Sequence, residues 1–188
     1  MQSHQGEDTT ADEAFGTRRL VIRPAVPGDW ATTEAFAGHP ELAAFVRSPE
    51  QIRAGNTTMF TLVARATGEI VGQAGYQRFS DGPAPVEVSV WLAPGHWGQG
   101  LATEALHALV DRAFADGRIA VLTGAIRVTN ARARRVLEKS GFQFRGAGMQ
   151  QSAANGASYP VERFVLDRRN WASLKAWGAD RPAAPHAA

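Results

Sequence analysis

The chain has 188 residues, with 20 Lys and Arg against 18 Asp and Glu for a formal charge of +2, and no cysteine. That size and a hydrophobic share of 44% describe one globular domain able to bury a full core. The absence of cysteine excludes disulfides, thiol catalysis and thiolate metal sites, and fits a cytoplasmic protein. The near balance of charge gives no electrostatic case for nucleic acid.

In chain order, residues 1–14 are polar and acidic and read as a disordered tail with no secretory signal. Arg18 to Arg23 reads as a short strand stopped by Pro24 and Pro27. Asp29 to Ala37 reads as a helix, with Trp30, Thr33 and Phe36 at helical spacing. Two further short helices are expected over Pro40–Val46 and Ser48–Asn56, the second with a serine cap and Pro49 in its first turn. Thr58–Arg65 and Ile70–Phe79 alternate as strands joined by a hairpin at Thr67-Gly68-Glu69. Val86–Leu92 is a strand ended by Ala93-Pro94-Gly95.

Leu101–Ala115 is the clearest helix. Leu101, Ala105, Leu109 and Ala113 make its apolar stripe, Thr103, His107 and Asp111 its wet side, and Gly117 its end. Ile119–Ile126 is a β-branched strand of the interior kind. A helix then runs from an Asn130 N-cap to Ser140, with Gly141 as C-cap. Phe142–Arg145 and Ser158–Leu166 close the order as strands, and the tail from 178 to 188 again reads as disordered. The sum is an α+β domain over residues 15–177 with one central, mostly antiparallel sheet.

The most informative run is Trp97-Gly98-Gln99-Gly100-Leu101-Ala102-Thr103-Glu104-Ala105-Leu106. Glycines at 98 and 100 permit positive φ and a close backbone approach. The helix behind them opens with N–H groups that lack intrahelical partners at the positive end of its dipole. Such a turn suits a phosphate, although a tight strand-to-helix connection needs the same residues.

Three other pieces stand with it: Thr17-Arg18-Arg19-Leu20-Val21-Ile22-Arg23, Val86–Leu92, and Asn130 to Phe142 with Glu138-Lys139-Ser140-Gly141-Phe142. In order and spacing, the four resemble the GCN5-related N-acetyltransferases (the GNAT superfamily). The likeness is to the subgroup that acetylates ribosomal-protein N-termini, with its Thr-x-Arg-Leu-x-Leu-Arg opening and Trp-Gly-x-Gly-x-Ala-Thr-Glu-Ala turn. The resemblance covers residues 17 to 142 and continues more loosely to about 167.

The resemblance implies acetyl-CoA as co-substrate and a primary amine as acceptor. It implies that strands four and five, Val86–Leu92 and Ile119–Ile126, splay apart. It assigns the backbone of Gly98, Gln99, Gly100, Leu101 and Ala102, behind Trp97, to the cofactor diphosphate. It assigns Val90, Trp91 and Leu92 to the acetyl carbonyl and the pantetheine arm, with Asn130 beside that arm. Glu87 stands where a carboxylate can deprotonate the incoming ammonium, the reading favoured over a strand-edge carboxylate facing solvent; its other functional reading is an ammonium-binding group. The subgroup's serine three residues past the Asn is Ala133 here, and only Tyr76 and Tyr159 offer a phenol, so no general acid is assigned.

His4, His39, His96, His107 and His186 show no ligand spacing, and no metal is expected. No membrane contact is expected, and the resemblance leaves monomer and homodimer open. The acceptor also stays open among a protein N-terminus, possible under the subgroup likeness, a small amine such as an antibiotic, polyamine or amino acid, and none at all if the chain only binds acyl-CoA. Glu34, Glu41 and Glu50 could give a basic acceptor an acidic cleft, or simply face water.

Overall fold

A computed structural model describes residues 13–37, 57–78, 85–151 and 156–179. The expected short helices over 40–46 and 48–56 lie outside these residues, as do Glu41 and Glu50. Eight strands form one sheet: β1 Phe15–Gly16, β2 Leu20–Pro24, β3 Thr57–Ala64, β4 Ile70–Arg78, β5 Val86–Leu92, β6 Val121–Arg127, β7 Gln143–Gln151 and β8 Ser158–Asp167. Their spatial order is β1-β2-β3-β4-β5-β6-β8-β7. Among the described residues the α-helices are α1 Trp30–Ala37, α2 Leu101–Ala115, α3 Ala131–Lys139 and α4 Arg168–Ala179.

Seven strand contacts make the sheet, and six are antiparallel. The exception joins β5 to β6 in parallel, through Val86–Leu122 and Glu87–Thr123 alone. Beyond Glu87 the two strands part. These are the strands expected to splay, numbered one higher because Phe15–Gly16 adds a short first strand that the sequence reading did not include.

Alternation along the strands sorts the side chains to two faces. Leu20, Ile22, Phe60, Ala74, Val86, Val88, Leu122, Phe164 and Leu166 form one buried cluster with Ala105, Leu106, Leu109 and Val110 of α2, with Leu137 of α3 and with Trp171 of α4. Burying each large aliphatic chain is worth about 1.5–3 kcal/mol, so this face holds the domain together. Tyr76 packs against the same cluster, its ring 6.1 Å from Phe60.

The opposite face carries Thr61, which is fully buried and donates to Asp29 Oδ2 at 2.7 Å. Arg23 grips the same carboxylate with two nitrogens, at 2.8 and 2.6 Å, and Val26 N–H adds a bond at 3.0 Å. Burial alone would raise the Asp29 pKa. The bonds from Arg23, Thr61 and Val26 outweigh it and hold the carboxyl below its ordinary value. This knot fixes the turn at Pro27–Asp29 that leads into α1.

Two expectations need correction. The chain leaves α2 at Asp116, whose backbone is extended, and Gly117 is not its cap. Asp116 instead accepts bonds from the Arg118 N–H and from the Arg78 side chain. The second correction concerns α4, which the sequence reading did not include. Asp167 starts that helix by accepting from the Asn170 N–H at 2.8 Å and from its side-chain amide at 2.6 Å.

Helix α4 then covers what was read as the wet side of α2. Trp171 is 7% exposed, its indole donates to Asp111 at 2.8 Å, and its ring lies 5.2 Å from His107. That cover desolvates His107 and pushes its pKa down. Among the described residues, no helix is long and apolar enough to cross a membrane, and no group of three potential ligands could hold a metal ion.

Candidate functional site

The end of β5, the glycine turn and the start of α2 form one continuous piece of chain beside the gap that opens between β5 and β6. Gly98 and Gly100 have φ of 74° and 77°, a left-handed conformation that costs other residues roughly 1 kcal/mol or more. Gly100 is also the N-cap of α2, and no side chain caps that end. A Cβ placed on Gly98 would meet nothing within 4 Å. The turn therefore offers open space in front of a helix N-terminus that its own N-cap residue leaves uncapped.

Side chains hold this turn in place. Trp97 donates its indole N–H to the carbonyl of Leu92, the last residue of β5, at 2.7 Å. Gln99 returns its amide to the Gly95 carbonyl at 3.1 Å. The Trp97 side chain thus has a structural role that a reading based on backbone contacts alone did not assign to it.

The gap begins at Glu87. Its strand is paired on one side with β4 throughout, from Gly72–Leu92 to Arg78–Val86. On the other side, pairing with β6 stops at Glu87–Thr123, so from Val88 onward β5 keeps its β4 ladder while its other edge faces the gap. Val86 and Val88 belong to the core; Glu87, between them, faces the opposite side of the sheet, half-buried at the vertex of the V. Cross-strand from it on β4 is Gln77. Val90 packs toward the core with Trp97, whereas Trp91 is buried on the Glu87 face.

Asn130 begins α3 on the far arm of the V. Its side-chain oxygen accepts from the Ala133 N–H at 3.0 Å, so the expected N-cap is present. Ala133 packs against the core. Arg132, in the first turn of α3, lies over the Trp97 ring at 4.9 Å, linking the helix to the glycine turn. Tyr159 sits under the Arg127 guanidinium at 4.2 Å, at the end of β6 and β8. His96 turns within the Pro94–His96 segment just before the glycines.

Three residues to which the sequence pattern assigns no role meet at this turn. Glu104 Oε1 accepts from the Thr17 hydroxyl and from the Arg19 N–H, the latter at 2.9 Å. Its other oxygen takes Arg19 Nε and Nη2, both at 2.7 Å. The remaining guanidinium nitrogen of Arg19 donates to the Gln99 carbonyl at 2.9 Å. Burial would raise the Glu104 pKa, but the bonds from Thr17 and Arg19 and the arginine charge reverse that and hold it below its ordinary value. The available signal was the pair of sequence pieces themselves, Thr17-x-Arg19 and Ala102-Thr103-Glu104, whose contact no linear reading displays.

The profile of the acetyltransferase (GNAT) domain family matches residues 19–143 of the chain. An N-acetyltransferase named p20 from Bacillus licheniformis is 25% identical over 118 residues, 63% of this chain and 66% of that protein. A ribosomal-protein-serine acetyltransferase from Escherichia coli is 28% identical over 97 residues, 52% of this chain and 54% of that protein. The chain thus spans between half and two thirds of these relatives. Among solved structures, a ribosomal-protein-S5-alanine acetyltransferase from Vibrio fischeri superimposes with a TM-score of 0.69 at 19% identity, over 85% of this chain and 99% of that one. Spermidine N-acetyltransferase from Vibrio cholerae, in complex with CoA and spermine, gives 0.69 at 16% identity, over 83% and 99%. At these identities the structural likeness is one of fold.

Proposed function

The chain belongs to the GNAT acetyltransferase family, and from that premise we propose that it moves an acetyl group from acetyl-CoA to a primary amine by direct transfer. The observation that carries the proposal is the uncapped, glycine-led start of α2 lying beside the vertex where β5 and β6 separate. A diphosphate fits the first, through the N–H groups of Gly98, Gln99, Gly100, Leu101 and Ala102. An extended pantetheine arm fits the second, adding itself to the gap-facing edge at Val90, Trp91 and Leu92 as a strand would. Trp97 keeps the turn in register with that edge, and the Asn130 amide stands beside the arm.

Acetyl-CoA brings an activated thioester; the protein must bring a deprotonated amine. An amine acceptor arrives largely as ammonium, and Glu87 at the vertex is the carboxylate to take its proton, directly or through one water. The lost proton leaves a nucleophile held against the thioester carbonyl, so orientation supplies much of the remaining acceleration. No cysteine exists to carry the acetyl group as a thioester on the enzyme, which supports transfer in one ternary complex. Position 133 is alanine, so the leaving sulfur departs as thiolate without a hydroxyl from that residue.

For the acceptor we favour a protein N-terminal amine. The likeness to the ribosomal-protein-serine acetyltransferase is one of sequence, whereas that to the spermidine enzyme rests on fold. The test is calorimetric acetyl-CoA binding followed by a CoA-release screen over peptides, polyamines, aminoglycosides and amino acids. Release with peptides supports the reading, and release with small amines alone transfers it to that class. Binding with no release from any amine would make the chain an acyl-CoA-binding module. Within the transferase reading, Glu87→Gln lowers kcat about 100-fold at saturating acetyl-CoA; an unchanged kcat removes Glu87 as the base.

A further inference from the structure

Arg19 sits on the N-terminal strand's approach, far in sequence from the glycine turn, yet it spends its whole guanidinium on that turn and its helix. Nε and Nη2 hold Glu104, and Nη1 holds the carbonyl of Gln99. Gln99 is exposed, so water alone would satisfy its carbonyl; a protein donor there fixes direction rather than filling a need. In a trans peptide the C=O and the following N–H point in opposite directions. The carbonyl drawn to Arg19 therefore turns the Gly100 N–H away from Arg19. Gly100 keeps its Cα close to the arginine, since an added Cβ would lie 3.6 Å from Nη2.

Charge supports the same conclusion. Glu104 stands in the first turn of α2, where its negative charge would repel a phosphate at that helix end. The two arginine nitrogens on Oε2, with the Thr17 hydroxyl and the Arg19 N–H on Oε1, absorb it.

We propose that Arg19 is a positioning residue for the diphosphate of acetyl-CoA, fixing the Gln99–Gly100 peptide so that the Gly100 N–H faces the ligand and masking the charge of Glu104. It rests on the reading that the glycine turn holds that diphosphate. Arg19 itself touches no reacting atom. Lysine does not reproduce it, because one nitrogen cannot stand in for the three that reach Glu104 Oε2 and the Gln99 carbonyl from the fixed positions of a planar fork.

The test compares dissociation constants for acetyl-CoA and for acetyl-pantetheine, which lacks the diphosphate, in wild type, Arg19→Ala and Arg19→Lys. Thermal unfolding of each variant is recorded alongside. Arg19→Ala is expected to weaken acetyl-CoA about 10-fold, in line with loss of one charge-assisted bond, and to leave acetyl-pantetheine unchanged. Arg19→Lys, which keeps a charge beside Glu104, should fold as wild type and still lose several-fold in acetyl-CoA affinity. An equal loss for both ligands, or no loss for acetyl-CoA in Arg19→Lys, overturns the proposal. A wild type that binds acetyl-pantetheine as tightly as acetyl-CoA would instead overturn the diphosphate reading beneath it.

Discussion

Helices α2 and α3 start on the two arms of the same V and are built in opposite ways. Helix α3 closes its own N-terminus, with the Asn130 side chain on the Ala133 N–H at 3.0 Å. Helix α2 starts at Gly100, in a left-handed conformation and with no side-chain cap. A helix that starts on glycine instead of a capping side chain forgoes about a few tenths of a kcal/mol. Here the surrounding chain supplies the order instead, through Trp97 to Leu92 and Arg19 to Gln99. One start is stabilised from within and the other is held from outside, which keeps its N–H groups available.

The largest expected effect breaks the open start. Gly98→Glu places a carboxylate in the space before α2 and forces a side chain into positive φ. It should weaken acetyl-CoA at least about 100-fold, measured by calorimetry. Gly98 is the better position than Gly100 for this, because a carboxylate at 100 would meet Arg19 Nη2 and be partly neutralised. A variant that still binds as wild type would show that the ligand lies elsewhere.

Removing the closed start should act on stability instead. Asn130→Ala is expected to cost about 1 kcal/mol in chemical denaturation. Asn130→Asp keeps the cap oxygen but removes the amide donor, so stability should hold while acetyl-CoA affinity falls a few-fold. If affinity is untouched, Asn130 serves the helix alone.

The smallest effect sharpens how α2 is held. Glu104 has a folded pKa below its reference value of 4.5, so its stabilising contribution is complete above that pH and is lost as pH falls through the folded value. Glu104→Gln should therefore be less stable than wild type at neutral pH. The gap should narrow as the pH drops below 4.5, when the wild-type carboxyl also becomes neutral. A gap constant from about pH 7 to about pH 3 would remove the charge of Glu104 from the account.

Much of this domain was legible in one dimension. Strand Val86–Leu92 and helix Leu101–Ala115 fall where alternation and the 3.6-residue stripe put them, because each has one buried face that repeats at its own period. Asn130 was legible as a cap because capping is local, a side chain bonding a backbone group three residues on. Helix α4 was missed because its signal is weak without its partner: Trp171 and Leu174 follow an Asp167 cap, but the groups that anchor Trp171, Asp111 and His107, belong to α2. The same blindness turned His107 into a surface residue.

Local rules, then, determined most of the elements, the glycine turn and the family likeness, since backbone conformation and apolar period depend on neighbours within a few residues. The long-range bonds that hold the turn depend on the folded sheet. The contact between Arg19 and Gln99 spans 80 residues of chain and that between Thr17 and Glu104 spans 87. Such a bond exists because the sheet brings β2's approach alongside α2, and nothing in the spacing of either segment encodes that meeting.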